Sequence, residues 1–217
     1  MKIAGKELKA VIFDLDGTLI DSTSVWKKID QKFFNSRGME VPANYAEEIA
    51  HIGLKEAAIL TKEKYHIEGS IDDILNEWHE MSKQQYLEEI SLKDHVYEYL
   101  KKLKDNGIKL AVATANKKEL YEPCLKRLGI FEFFDFIADV DTVQAGKNSV
   151  KLYNYVAEML NEKCEEIAVF EDIYIGLKTA FENNYISVAV YDKNSQKDDE
   201  LKKKYSHLYI NDFKELL

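Results

Sequence analysis

Cysteine is scarce in this chain of 217 residues, which contains only Cys124 and Cys164. The two are far apart, and neither has a partner at a metal-ligand spacing, so the sequence argues against a disulfide framework or a cysteine metal site. Both cysteines lie in helix-like, partly apolar segments. We therefore expect two buried free thiols.

Long apolar runs are also missing. No stretch approaches the ~18 apolar residues of a membrane span. The first nine residues contain three lysines, but no signal-type apolar segment follows, because Asp14 interrupts the run that begins at Val11. The sequence thus predicts a cytoplasmic protein with no membrane partner.

Positive charge is in deficit, with a formal net charge of −9. This excess of acid argues against a nucleic-acid partner, because phosphate backbones attract basic surfaces. It does not exclude a small anionic substrate, since the local field at a site can oppose the net charge. The charged stretch Lys193–Lys204 predicts a solvated loop and helix face. We expect a monomer or a weak dimer.

What the chain does have is an alternation of short apolar segments with helix-like ones. From Leu110 onward the spacing is that of βα units, which predicts an α/β fold with a Rossmann-like parallel sheet covered on both faces. Six segments are predicted as strands: Ala10–Phe13, Leu110–Thr114, Phe136–Ala138, Ile167–Phe170, Ile186–Val190 and His207–Ile210.

One interval breaks this rhythm. More than ninety residues separate Asp16 from Leu110, where a single βαβ crossover needs only about 30. The interval has helical periodicity almost throughout, with Val25, Ile29 and Phe33 on one face. We predict an all-helical domain over residues 22–90, inserted into a core domain formed by residues 1–21 and 91–217.

The most informative stretch is Asp14-Leu15-Asp16-Gly17-Thr18, directly after the first predicted strand. Gly17 can break the alternation of the strand, so both carboxylates can converge at the carboxyl edge of the sheet, where open α/β folds bind ligands. Two acids in one place repel each other unless a cation or a proton intervenes. Mg²⁺ suits such oxygen ligands. Taken alone, the stretch is equally typical of an ordinary turn.

Further polar residues follow other predicted strands. They are the hydroxyl of Thr114 with Ala115 and Asn116 behind it, Lys147 in a loop after the third core strand, and the acid pair Glu171-Asp172. Each alone has an ordinary explanation, as a helix cap or a solvated lysine. Together, on one edge of one sheet, they suit phosphoryl transfer to a carboxylate.

These residues resemble the four motifs of the haloacid dehalogenase superfamily of phosphohydrolases, in order and over essentially the whole chain. The matching segments are Val11–Thr18, Val112–Thr114, Lys147, and Val169–Asp172 with Gly176 and Ala180. Within that superfamily the chain resembles the subfamily with a helical cap after the first motif, which includes phosphoglycolate phosphatases and β-phosphoglucomutases.

The resemblance implies a role for each matching residue. Asp14 would be the nucleophile that forms an aspartyl-phosphate, and Asp16 the general acid and then base. Phosphoryl oxygens would be held by Thr114 and Lys147, and the substrate by Asn116 and the backbone N–H groups of Gly17 and Ala115. Mg²⁺ would be bound by Asp14, the backbone carbonyl of Asp16, Asp172 and Glu171.

Two departures from the family pattern concern loops around these residues. Asn148 stands where proline usually follows the motif-three lysine, and Ile173 stands where motif four usually has serine. They bear on turnover and specificity more than on the class of reaction.

Specificity in this subfamily depends on the cap, where residues 51–56 resemble its glycine-containing specificity loop. Lys55 would there meet an anionic part of the substrate, unless it is simply a solvated lysine. Three functions follow: a Mg²⁺-dependent phosphatase of a small phosphorylated metabolite, a β-phosphoglucomutase-like mutase, or a non-catalytic phosphate-binding regulator. Hydrolysis is favoured, because Trp26 and Glu56 stand where mutases carry a histidine and an arginine.

Overall fold

The computed structural model describes residues 1–22, 24–49 and 53–217. They form two compact units, one of Met1–Thr23 with Ile90–Leu217, and one of Ser24–Glu89. We call them the core unit and the helical unit. In the described part of the chain, the helical unit contains helices only, and every strand belongs to the core unit.

The core unit is built on a six-stranded parallel sheet. A short antiparallel hairpin, β1 (Lys2–Ile3) and β2 (Lys6–Glu7), precedes it. The six strands of the sheet are β3 (Ala10–Phe13), β4 (Lys109–Thr114), β5 (Phe136–Asp139), β6 (Ile167–Glu171), β7 (Ile186–Val190) and β8 (Leu208–Ile210). Their order is β5-β4-β3-β6-β7-β8, so β3 lies at the centre of the sheet, between β4 and β6.

The helical unit follows β3 in the chain. Its helices are α1 (Val25–Asn35), α2 (Tyr45–Ile49), α3 (Leu54–Tyr65) and α4 (Ile71–Gln84), the last continuing as a π-helix over Gln85–Glu89. Its core contains the predicted apolar face of α1, because Val25, Ile29 and Phe33 are all buried. Ser70 and Asp73 form a reciprocal capping box that begins α4.

Helices of the core unit cover both faces of the sheet. They are α5 (Val96–Asp105), α6 (Lys118–Arg127), α7 (Val140–Val143), α8 (Val150–Leu160), α9 (Tyr174–Glu182) and α10 (Asp199–Lys204). On one face, Ala10 and Ile12 pack with Tyr153 and Val156 of α8. On the other, Phe13 contacts Tyr99 of α5, as expected when successive strand residues point to opposite faces.

The predicted fold class is confirmed: a parallel α/β sheet with a block of helices inserted after β3. Burial explains why these strands were predictable, since β3, β6 and β7 are buried at every position and are apolar except for Glu171 and Ser187. In the described part of the chain, no helix is long and apolar enough to cross a membrane.

Two predictions about burial need correction. Both cysteines are free, but only Cys124 is buried, whereas Cys164 begins a 3₁₀ turn and is half-buried. The stretch Lys193–Lys204 is not wholly solvated, because Ser195 is buried and Lys202 has no exposed surface. Charge patterning alone does not reveal a lysine whose ammonium is paired inside the fold.

Candidate active site

A tight turn after β3 carries the first two acids. The N–H of Asp14 donates to Phe170 O at 2.9 Å, which keeps Asp14 on the edge of the sheet, and its side chain is almost fully buried. The amides of residues 18–20 all donate to Leu15 O, at 2.9–3.3 Å. Gly17 allows the turn because its φ is +83°, a conformation that side chains disfavour.

Gly17 is also required by close approach. A Cβ at this position would lie 2.6 Å from Asp172 Oδ2, well inside van der Waals contact. The turn after β3 and the segment after β6 therefore meet directly, and the meeting point is at the acids. The N–H of Gly17 donates to Ile20 O at 3.0 Å, and its predicted contact with substrate stays a prediction.

Three buried carboxylates converge at this edge of the sheet. Asp14, Glu171 and Asp172 each offer an oxygen, and these oxygens lie within 4.8 Å of one another. We call these residues the acidic cluster. The hydroxyl of Thr18 lies 3.1 Å from Asp14 Oδ2 and 3.4 Å from Asp172 Oδ1 and so connects two of its members.

Lys147 supplies a positive charge to the acidic cluster. Its Nζ pairs with Asp14 Oδ1 and lies 2.7 Å from Glu171 Oε1, and its side chain is largely buried. Burial by itself lowers the pKa of this ammonium, but the charges of Asp14 and Glu171 outweigh that effect and raise the pKa. Lys147 is therefore a permanent cation in the site, despite the unusual Asn148 that follows it.

One lysine does not balance three carboxylates. Burial, followed by the charge of Asp14, raises the pKa of Asp172 to about 9 and that of Glu171 to about 7. Both shifts express the cost of placing like charges together in a poorly solvated place. Buried oxygen ligands with this excess of negative charge fit a hard divalent cation such as Mg²⁺.

Both carboxylate oxygens of Glu171 accept hydrogen bonds. Its Oε2 accepts from the N–H groups of Asp172 at 3.1 Å and Ile173 at 3.4 Å, and its Oε1 lies 3.4 Å from the Tyr153 hydroxyl. Gly176 makes room for it, since a Cβ there would lie 2.5 Å from Glu171 Oε1. This explains why glycine stands near the start of α9.

A second group of residues, at the end of β4, is linked to Asp16 through Asn116. Thr114 ends β4 and is fully buried, and its Oγ1 accepts from the N–H of Asn116 at 3.0 Å. The Asn116 side-chain amide donates to Asp16 Oδ2 at 3.2 Å. Asp16 is half-buried, and Ala115 is exposed. Helix α6 begins at Lys118, two residues after Asn116.

The structure thus joins the predicted residues into two adjoining sets at the ends of neighbouring strands. Lys55 belongs to the helical unit, as an exposed residue in the first turn of α3. His51 and Ile52 of the predicted specificity loop lie outside the described residues. The catalytic and ligand roles assigned to these residues from sequence stay predictions.

Sequence reasoning missed two contacts of the acidic cluster. Thr18 stood inside the first motif but was given no role, although a hydroxyl four residues after an acid can fold back on it in a tight turn. Tyr153 lies among the apolar residues of α8, where nothing in the pattern separates a packing aromatic from one that places its hydroxyl on a carboxylate.

Three proteins similar to this chain have names that state an activity on phosphate compounds. The phosphorylated carbohydrates phosphatase of Thermotoga maritima is 30% identical over 80% of this chain and 80% of its own length. The pyrophosphatase PpaX of Bacillus cereus is 26% identical over 76% of this chain and 74% of its own. The crystal structure of a protein assigned as a β-phosphoglucomutase of Thermotoga maritima matches with a TM-score of 0.82 and 26% identity, covering 94% of each chain.

The family model for haloacid dehalogenase-like hydrolases matches residues 11–190. That span includes the acidic cluster, Lys147 and the helical unit. It confirms the resemblance drawn from the four motifs. The chain belongs to the haloacid dehalogenase-like hydrolases and is a phosphatase of that family.

Proposed function

We propose that this protein is a Mg²⁺-dependent phosphatase that hydrolyses a small phosphorylated metabolite through an aspartyl-phosphate on Asp14. The observation that carries the proposal is the environment of Asp14. One of its oxygens pairs with Lys147 and the other accepts from Thr18, inside a buried cluster of three carboxylates. A buried carboxylate oriented in this way suits nucleophilic attack on phosphorus.

The remaining polar residues divide the work of hydrolysis. An oxygen of Asp14 forms the bond to phosphorus while the bond to the leaving oxygen breaks, and Asp16 gives that oxygen a proton. Asp16 then takes a proton from the water whose oxygen bonds to phosphorus, while the bond between phosphorus and Asp14 breaks, which frees Asp14 and releases phosphate. Lys147 and Thr114 hold the phosphoryl oxygens, and Asn116 orients Asp16 through its 3.2 Å hydrogen bond.

Mg²⁺ would be held by Asp14, Asp172 and the backbone carbonyl of Asp16, with Glu171 as a ligand or as their support. When bound, it would offset the negative charge of the cluster and of the phosphoryl group. The raised pKa values of Asp172 and Glu171 support this assignment, because they mark a charge that Lys147 alone leaves unbalanced.

A phosphorylated sugar is the first substrate to test, and pyrophosphate the second, because the similar proteins from Thermotoga maritima and Bacillus cereus carry those activities in their names. We propose that residues 22–90 form the domain that determines specificity, with Lys55 contacting an anionic part of the substrate. Lys55→Ala should then raise KM for the true substrate and leave KM for p-nitrophenyl phosphate unchanged.

Mutase activity is the second candidate, supported by the likeness to a protein assigned as a β-phosphoglucomutase. Two residues favour hydrolysis instead. Trp26 is 49% exposed at the start of α1, and its indole cannot relay a proton to an aspartate. Glu56 lies in the first turn of α3 and would repel a second phosphate.

A product assay separates the two reactions. With Mg²⁺, β-glucose 1-phosphate and a trace of the 1,6-bisphosphate, we expect free phosphate to form faster than glucose 6-phosphate. The reverse order would establish the mutase.

The nucleophile is tested by Asp14→Asn, which keeps the shape of the side chain and removes its nucleophilic oxygen. Phosphate release should fall by at least ~10³-fold, measured with Mg²⁺ across sugar phosphates, phosphoglycolate, nucleotides and pyrophosphate. The matched control is Asp105→Asn, at an exposed aspartate on the surface of α5, which should keep wild-type rates. Wild-type turnover by Asp14→Asn, or by the wild type in EDTA, would refute the proposal.

A further inference from the structure

One buried and one half-buried lysine lie close to segments that carry the acidic cluster. Lys202 has no exposed surface, and the side chain of Lys93 is 18% exposed. Burying an ammonium is costly unless it is paired and hydrogen-bonded. The partners of both lysines include residues 191–195, the segment that follows β7, which we call the brace loop.

Lys202 reaches the acidic cluster through one hydroxyl. Its Nζ lies 2.7 Å from Asp199 Oδ1 and 3.1 Å from Ser195 Oγ. Ser195 in turn donates to the backbone carbonyl of Asp172 at 2.7 Å. The ammonium occupies a lone pair of the Ser195 oxygen, so the single hydroxyl proton is directed away from it. The backbone carbonyl of Asp172, at 2.7 Å, is a nearer acceptor for that proton than the carbonyl of Asp192, at 3.3 Å.

Lys93 reaches the other side of the cluster. Its Nζ donates to Gly17 O at 2.7 Å and to Tyr191 O at 2.5 Å, and it lies 3.5 Å from Asp192 Oδ2. The turn after β3 is therefore tied to the brace loop directly by a lysine, whereas the segment after β6 is tied to it by the Ser195 hydroxyl, which Lys202 supports.

These links hold together the turn after β3 and the segment after β6, which repel each other. Gly17 and Asp172 are so close that a single Cβ would collide with the Asp172 carboxylate. The nearby carboxylates of Asp14 and Asp172 repel each other when both are ionised. The attachment of both segments to one loop is made through backbone carbonyls, so it opposes that repulsion without occupying any carboxylate oxygen of Asp14 or Asp172.

We propose that Lys93, Ser195 and Lys202 are positioning residues, which hold the Gly17 turn and Asp172 together through the brace loop and so preset the acidic cluster for a divalent cation. The consequence for catalysis rests on the function proposed above, but the geometry does not. Each of the three acts on main-chain carbonyls or on the brace loop and is given no contact with the substrate.

The first test measures Mn²⁺ binding to the whole 217-residue chain by calorimetry. Ser195→Ala cuts the link to Asp172 without removing a charge, and Lys93→Met removes the ammonium while keeping the aliphatic stem. Each should weaken Mn²⁺ binding about 10-fold, the usual size of an effect on residues that support metal ligands. Two matched controls, Ser206→Ala and Lys203→Met, change a hydroxyl and a lysine that contact α10 itself, and both should stay within twofold of the wild type.

The second test needs no metal. Amide hydrogen exchange of peptides covering residues 15–20 and 171–175 should speed up about tenfold in Ser195→Ala and Lys93→Met, while peptides from α8 stay unchanged. A variant that loses thermal stability but keeps wild-type Mn²⁺ affinity and wild-type exchange at both segments would overturn the proposal and leave these residues a packing role only.

The two tests also separate this inference from the proposed function. If the wild type releases no phosphate from any substrate but the Mn²⁺ and exchange results are as expected, the phosphatase proposal fails and the brace stands. If Asp14 is essential for phosphate release but the brace variants bind Mn²⁺ like the wild type, the brace fails and the phosphatase proposal stands.

Discussion

At the scale of single residues, the site depends on how closely backbone segments approach each other. Gly17 has a φ of +83°, and a Cβ added to it would lie 2.6 Å from Asp172 Oδ2. Gly107 has a similar φ of +71° but open space around it. Substituting each glycine with alanine therefore distinguishes the effect of backbone strain, which both positions share, from the effect of a steric collision, which only Gly17 would add.

Gly17→Ala and Gly107→Ala should both lower the free energy of unfolding by about 1–2 kcal/mol, because each forces a side chain into the left-handed region. Gly17→Ala should in addition reduce Mg²⁺-dependent phosphate release at least 10-fold, since the methyl group displaces Asp172. Denaturant unfolding and a Mg²⁺ titration of activity measure the two effects. Equal activity in both variants would show that the collision is relieved without moving the acid.

The sequence was sufficient to predict the charged site residues, because an acid or a lysine just after a predicted strand indicates a functional role. Asp14, Lys147, Glu171 and Asp172 were predicted, and the structure brings them into contact. Sequence reasoning did not find the residues that act through the backbone. A lysine in a charged stretch has the same pattern whether it points to solvent, as Lys203 does, or donates inside the fold, as Lys202 does.

At the scale of elements, the strands of the sheet could be predicted from the sequence largely because most of them are buried. The six strands of the sheet were predicted with ends correct to within one residue. The four central strands are almost wholly buried and apolar, and the half-buried edge strands β5 and β8 are also short apolar segments. The β1–β2 hairpin was missed, since its two-residue strands are too short for any alternation to register. The π-helix Gln85–Glu89 was missed as well, because its residues continue the polar and apolar spacing of α4.

Helix α1 carries a buried carboxyl group whose effect on stability can be tested. Asp30 lies on its buried face, and burial raises the pKa of its carboxyl to about 6. A folded-state pKa above the unfolded value means that the native state binds the proton more tightly. Stability contributed by the protonated acid is thus present at low pH and is lost as pH rises from about 4 through about 6.

Asp30→Asn should therefore stabilise the protein at pH 7.5, by about 1–2 kcal/mol after allowance for partial solvation, and have little effect at pH 4. Thermal unfolding across pH 4–8 measures this difference. Glu63→Gln, at an exposed position of α3, is the control and should show no such trend. An Asp30→Asn effect that is the same at both ends of the pH range would mean that the carboxyl titrates normally.

At the scale of the whole molecule, the chain carries a net charge of −9, and part of that excess is concentrated in the acidic cluster. Burial and mutual repulsion raise the pKa values of Glu171 and Asp172. Without a cation, the stability contributed by the protonated acids is therefore lost as pH rises from about 4 through about 7 for Glu171 and about 9 for Asp172. A divalent cation that binds the native state reverses that loss. Cation binding and proton binding therefore compete for the same oxygens.

Mg²⁺ should accordingly raise Tm more at pH 8.5 than at pH 6. At 100 times its Kd the cation contributes about 2.7 kcal/mol, which corresponds to roughly 5–10 °C for a chain of this size. Scanning calorimetry with and without EDTA gives the shift at each pH. Asp172→Asn should abolish it, and Asp105→Asn should keep it, because Asp105 lies exposed on α5. A shift of equal size at both pH values would place the cation outside the acidic cluster.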